Sequence, residues 1–173
     1  MTAAPSSPTT TRSRRAAAGC DHGRLNKDLH AEIGFNLRFN DIQAAIGRVL
    51  LRRLDAMNDH RRELAERYDK AFTGLPLGLP EERPGGHHVY HLYVVRTPRR
   101  DELAAFLKAR GVQTGVHYPV PTHRQPAVEG LRPPALPATE RLVTEILTLP
   151  ISAGHTVTEI DTVAMAVREF FGA

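Results

Sequence analysis

The sequence predicts an α/β domain with one long helix and a histidine-bearing loop. Three patterns predict it. Apolar residues recur at steps of three and four from Ile42 to Phe72, a stretch dense in β-branched and aromatic residues runs from His87 to Arg96, and a second helical period closes the chain from Thr158 to Phe171.

Residues Met1 to Gly19 are Ser, Thr, Ala, Pro and Arg without a periodic apolar pattern, and are expected to be disordered. An irregular polar segment, residues 20–39, approaches the first helix. Asn40 is placed to cap that helix, with Gln43 three residues later as in a capping box. The apolar positions Ile42, Ala45, Ile46, Val49, Leu50, Leu54, Met57, Leu64, Tyr68 and Phe72 then form one stripe. One helix is therefore expected from Asn40 to Thr73, stopped by Gly74. At 1.5 Å per residue it would be about 50 Å long, a length suited to the seam between domains or subunits.

Beyond it lies a C-terminal domain over residues 75–173. The turn-rich LPLGLPEERPGG leads into the predicted strand HHVYHLYVVR, which Thr97 and Pro98 end. Asp101–Arg110 is predicted as a helix with Leu103, Phe106 and Leu107 on one face and Gly111 at its end. VQTGV is predicted as a second strand. HYPVPTHRQP is a loop braced by prolines, each of which fixes φ and disfavours helix before it. After the GLRPPALP loop, Glu140–Thr148 is predicted helical and LPIS a short strand or turn. The final helix, Thr158–Phe171, turns Ile160, Val163, Ala164, Val167 and Phe170 inward.

Composition narrows the function classes. The formal charge is +4, but the arginines alternate with acids, as in RRLDAMNDHRRELAERYDK, which suits a solvated helix face. TRSRR is a basic cluster without an aromatic platform, so nucleic-acid binding is not expected. No run approaches the ~20 apolar residues that cross a bilayer, and the start has no apolar core for a secretory signal. A cytoplasmic protein is the expectation. Cys20, the lone cysteine, permits no intrachain disulfide and is read as a bystander.

The histidines first suggest metal. On a strand His87 and His91 would share a face and His88 would point oppositely, and neither a cysteine nor a nearby acid completes a zinc set. No metal site is expected. His117 and His123 flank a Pro-x-Pro turn, where two imidazoles either line a pocket or bond to backbone. No nucleophile elbow, phosphate loop or dinucleotide glycine pattern occurs. Up to this point the activity stays open.

Three segments together carry a resemblance. GFNLRFNDIQAAIGRVLLRRLD is similar to the asparagine–arginine segment and long interdomain helix of the DegT/DnrJ/StrS sugar aminotransferases. HHVYHLYVVR with RDELAAFLKARGVQTGVHYPVPTHRQP resembles that family's small-domain strand, helix and HYP-x-P-x-H loop. LTLPIS and the final helix resemble its C-terminal pattern. The likeness covers about Cys20 to Phe171, leaving residues 1–19 outside it.

This resemblance implies the C-terminal part of a fold type I enzyme dependent on pyridoxal 5'-phosphate (PLP): an interdomain helix and a small sheet covered by helices. It implies transfer of an amino group from glutamate to a nucleotide-linked keto-sugar, at a site shared across a homodimer. Asn36 matches the asparagine that reaches the cofactor phosphate across the dimer, and Arg38 is placed to add a charge-assisted contact or to hold the dimer. His117, Tyr118 and His123 match the loop bordering the sugar-nucleotide cleft. His91 and Tyr93 match the strand motif and are expected in the core. The family's Schiff-base lysine lies in a preceding large domain, and Lys27, Lys70 and Lys108 stand in the wrong contexts for it. The chain is therefore expected not to transaminate by itself. Its alternatives are a complementing subunit of a split enzyme and a non-catalytic binding module.

Overall fold

The computed structural model describes His22, residues 33–35, Leu37 and residues 40–173. The disorder expected of residues 1–19, Cys20, and the candidates Asn36 and Arg38 lie outside the described residues. The chain divides after Arg52 into two units, Met1–Arg52 and Arg53–Ala173.

In the first unit, helix α1 spans Asp41–Leu51. Its start carries the expected capping box: Gln43 N–H donates to Asn40 Oδ1 at 2.8 Å, and Asn40 N–H donates to Gln43 Oε1 at 3.4 Å. Ile42, Ile46, Val49 and Leu50 lie at helical spacing along it. All four are exposed, and the helix buries none of its residues.

The single helix expected from Asn40 to Thr73 is two helices. Arg52 closes α1, its N–H donating to Leu50 O, and a new helix, α2, spans Leu54–Phe72. No glycine or proline stands at the junction and the apolar period runs through it, so the break leaves no mark on the sequence.

The second unit is built on a two-stranded antiparallel sheet. β1 (Tyr93–Arg96) pairs with β2 (Ile146–Leu149), Tyr93 opposite Leu149 and Arg96 opposite Ile146. Single bridges, Gly78 to Arg96 and Gly115 to Thr148, extend the two outer edges. Helices α3 (Arg100–Ala109), α4 (Pro137–Glu145) and α5 (Val157–Phe171) complete the unit, with α5 packing on α2 and α3.

The core joins Leu64, Tyr68 and Phe72 of α2 to Tyr93 and Val95 of β1, Leu103 and Leu107 of α3, and Ile160 and Val167 of α5. Tyr93 and Val95 alternate with less buried neighbours, the pleat putting every second side chain inward. The rings of Tyr68 and Tyr93 sit 4.8 Å apart, and each phenol is satisfied: Tyr68 on Pro150 O at 2.8 Å, Tyr93 on Asp69 Oδ1 at 2.5 Å. Arg67 forks onto Asp161, and Arg110 onto Glu169, tying α2 and the end of α3 to α5.

Differences from the sequence expectation are local. The strand predicted over His87–Arg96 is confined to Tyr93–Arg96. The backbone before it is held by α2 side chains instead of a partner strand: Arg62 Nη1 donates to His88 O at 2.6 Å and Arg61 Nε to Val89 O at 2.9 Å. The face alternation assumed for His87, His88 and His91 therefore does not hold. VQTGV contributes one bridge, not a strand. Ile146–Thr148 is strand where helix was predicted, because the ladder to β1 satisfies its backbone and α4 begins earlier, with Pro137 at its first turn. At the ends of α3 and α5, Gly111 (φ 76°) and Gly172 (φ 74°) take the left-handed conformation that stops a helix.

Candidate functional site

The HYPVPTH loop leaves the sheet at Gly115. Gly115 and Thr148 exchange both backbone hydrogen bonds, at 3.1 and 2.7 Å, so the loop starts from a fixed point on β2. A Cβ there would stand 2.8 Å from His117 Cε1, so any larger residue would push the imidazole away from its seat. His117 Nδ1 lies 2.9 Å from Thr148 Oγ1, and Thr148 is buried, so the ring packs back onto the strand.

The far end is fixed to α4. His123 sits in a one-turn 3-10 helix, Thr122–Arg124, started by Pro121. Its Nε2 is 2.9 Å from Glu140 Oε1, and only 7% of its side chain is exposed. Arg124 donates to the same oxygen through Nε at 3.1 Å and Nη2 at 2.7 Å, and the Leu136 N–H approaches it at 3.4 Å. The hydrogen bonds from His123 and then Arg124 hold the Glu140 carboxyl down to about 2. With Glu140 ionised, His123 Nε2 is the donor.

Between these anchors Tyr118 projects into solvent. It is 74% exposed, with its ring edge-on to His117 at 5.8 Å. A side chain so presented offers a flat apolar face and a phenolic hydroxyl. The structure thus brings His117, Tyr118 and His123 onto one braced loop but gives them different surroundings. Two imidazoles are engaged within the protein, and one phenol faces outward. Sequence reasoning missed Glu140 and Thr148, whose partners lie at sequence separations of 17 and 31. No local pattern pairs them with the loop. His91 is exposed, against its expected core position, while Tyr93 is fully buried as expected.

Elsewhere, two surface cavities of about 540 and 650 Å³ flank the Gly111–Gln113 segment, and none of the loop residues lines either. Among the described residues no group of three or more His, Cys, Asp or Glu is placed to hold a metal ion. Nor do the described residues alone compose a seat for pyridoxal phosphate. Lys70 is exposed and 3.9 Å from Glu66, while Lys108 borders a cavity that no aromatic ring or carboxylate lines.

A protein of mixed helices on a small sheet, with a braced histidine loop, is the class that fold and site define. Comparison places it within that class. The model of the DegT/DnrJ/EryC1/StrS aminotransferase family matches residues 10–168, and the chain belongs to that family. The match starts inside the stretch 1–19 that was expected to lie outside the resemblance.

The chain is 42% identical over 153 residues to dTDP-3-amino-3,4,6-trideoxy-alpha-D-glucose transaminase of Streptomyces venezuelae, covering 87% of this chain and 40% of that protein. It is 32% identical to UDP-N-acetyl-3-dehydro-alpha-D-glucosamine 3-aminotransferase of Acidithiobacillus ferrooxidans, again over 86% of this chain and 40% of the relative. Among solved structures, S. venezuelae DesV in complex with a ketimine intermediate superposes with a TM-score of 0.87 at 40% identity, covering 93% of this chain and 44% of that one. NtdA of Bacillus subtilis with bound cofactor PMP gives a TM-score of 0.77 at 26% identity, covering 90% and 38%. The chain therefore spans about 40% of the length of the curated relatives it matches, and its fold is that of the corresponding part of fold type I sugar aminotransferases.

Proposed function

We propose that this chain forms the C-terminal part of the cleft of a PLP-dependent aminotransferase that makes amino sugars on a nucleotide carrier, with glutamate as amino donor. Supporting this reading is one observation above the others: in a member of a sugar aminotransferase family, an exposed tyrosine is presented on a proline-braced loop fixed at both ends. Tyr118 makes the outward contact to the nucleotide-linked sugar, with His117 and His123 shaping the same wall. Asn36 and Arg38 supply an amide and a guanidinium to the cofactor phosphate, across a homodimer. The cofactor, when bound, supplies an electron sink; the residues named here bind and orient. The compartment is cytoplasmic.

On this proposal the chain does not transaminate alone, because the lysine that carries the cofactor belongs to the large-domain part of the relatives. The exposed row Ile42, Ile46, Val49 and Leu50 favours one variant of the reading, a complementing subunit that pairs with a separate large domain. The third possibility, a non-catalytic binding module, predicts a partner and no cofactor.

The test is direct. The purified chain mixed with PLP is expected to show no visible band of a lysine-bound cofactor, and borohydride is expected to fix none. Mixed with the N-terminal part of the S. venezuelae relative, it is expected to restore glutamate-dependent amination of a dTDP-keto-sugar. A borohydride-fixed adduct on a lysine of this chain overturns the non-catalytic reading. Failure of the mixture to react, with a cofactor-free partner bound instead, favours the binding module.

A further inference from the structure

Glu140 stands on α4, outside the loop, yet two side chains of the loop converge on one of its oxygens, beside the amide of Leu136 at the start of α4 itself. His123 Nε2, Arg124 Nε and Nη2 and the Leu136 amide all reach Oε1, at 2.9, 3.1, 2.7 and 3.4 Å. Hydrogen bonds to an ionised acceptor are stronger than neutral ones, and a shared acceptor couples its donors. The turn they grip is otherwise held by its own short bonds: Arg124 N–H to Pro121 O, Gln125 N–H to Thr122 O, and Gln125 Nε2 to Val120 O. Those bonds shape the turn but do not attach it to the rest of the unit. Attachment at this end comes from Glu140.

We infer that Glu140 is a positioning residue for substrate recognition: by holding His123 and Arg124 it fixes the loop so that Tyr118 points outward to meet the nucleotide-linked sugar. His123 then acts as an anchor and not as a direct contact, since its Nε2 is committed and its side chain is buried. The inference rests on the proposal that this loop borders the substrate cleft.

The composition of the chain supplies a clean readout. Of its four tyrosines, Tyr68, Tyr90 and Tyr93 are buried, and only Tyr118 is exposed. In the full chain labelled with ring-13C tyrosine, a water-soluble paramagnetic chelate should broaden one tyrosine signal and spare three. Glu140→Gln keeps the volume and removes the charge. It should sharpen and shift the Tyr118 signal as the loop becomes mobile, leave the three buried signals in place, and raise tryptic cleavage after Arg124 about tenfold. dTDP-glucose is the probe for recognition: it should perturb Tyr118 in the wild type, with an apparent affinity about fivefold weaker in the variant.

An unchanged Tyr118 signal and unchanged cleavage in Glu140→Gln overturn the inference. If the loop loosens as expected but dTDP-glucose leaves the wild-type Tyr118 signal unmoved, the anchoring stands and the cleft reading fails. Should Glu140→Gln disturb the buried signals too, Arg124→Gln, at a half-exposed side chain, tests the same attachment from the other side, read on the Tyr118 signal alone because this variant also removes the tryptic site. No loosening there also counts against the inference.

Discussion

Arg67 of α2 meets Asp161 of α5 in a two-pronged contact, Nε to Oδ1 at 2.9 Å and Nη2 to Oδ2 at 2.6 Å, across 94 positions of sequence. The guanidinium holds the Asp161 carboxyl below its ordinary range. A carboxyl depressed on folding adds stability that is present above its unfolded value and lost as the pH falls through the lower folded one. Arg67→Met and Asp161→Asn should each lower the thermal midpoint slightly at pH 7 and cease to differ from wild type in strong acid. Because both side chains are partly in water, salt should shrink the effect. Melting curves of both single variants and the double variant, at pH 7 and pH 3, check the sign.

Burial has the opposite consequence for the phenols. Tyr68 and Tyr93 are fully buried, burial raising both and the Asp69 carboxylate raising Tyr93 further. Their contribution is complete below pH 10 and is lost above it, as the unfolded chain sheds protons that the fold retains. In an alkaline titration the phenolate absorbance of these two residues should appear together with loss of the circular dichroism signal. Reversible ionisation in an intact fold would contradict this. Tyr93→Phe, which strands the Asp69 bond, should cost about 1 kcal/mol.

Leu107, on α3, is fully buried, and α3 packs against α5 and β2. Leu107→Ala removes apolar surface and leaves a cavity, so denaturant unfolding should report a loss of about 3 kcal/mol. A loss under 1 kcal/mol would show that the core closes over the gap.

Ile46 belongs to the exposed row on α1, and its substitution should do the reverse. Ile46→Glu is expected to leave the melting temperature of the Arg53–Ala173 unit within error while reducing self-association of the chain. Sedimentation velocity over a range of concentrations reads this. A wild-type chain that stays monomeric throughout would contradict this expectation.

The positions legible in the sequence were those set by local chemistry. Asn40 with Gln43, Gly111 and the inward face of α5 are specified by a cap, a left-handed stop or a helical period, and each is where the pattern put it. What was not legible depended on partners remote in the chain. Ile146–Thr148 has a helical neighbour and reads as helix until β1 claims its backbone. His87–Leu92 reads as strand until Arg61 and Arg62 satisfy its carbonyls. The pause at Arg52 breaks no rule of composition at all. At the site, the proline frame around His117 and His123 was visible, and the resemblance supplied its proposed role, but the carboxylate that steadies it was not. Glu140 looked like any acid in the first turn of a helix.

The two moorings of the loop, Thr148 and Glu140, lie on one uninterrupted stretch, α4 running straight into β2. Tyr118, Pro119 and Val120 hang from that beam by both ends and sit apart from the buried core. Such a suspended span can exchange its middle side chains without disturbing the framework that carries it. On the proposed reading of the cleft, relatives that handle different sugars are expected to differ in the reach and shape of those few residues, with the beam left alone.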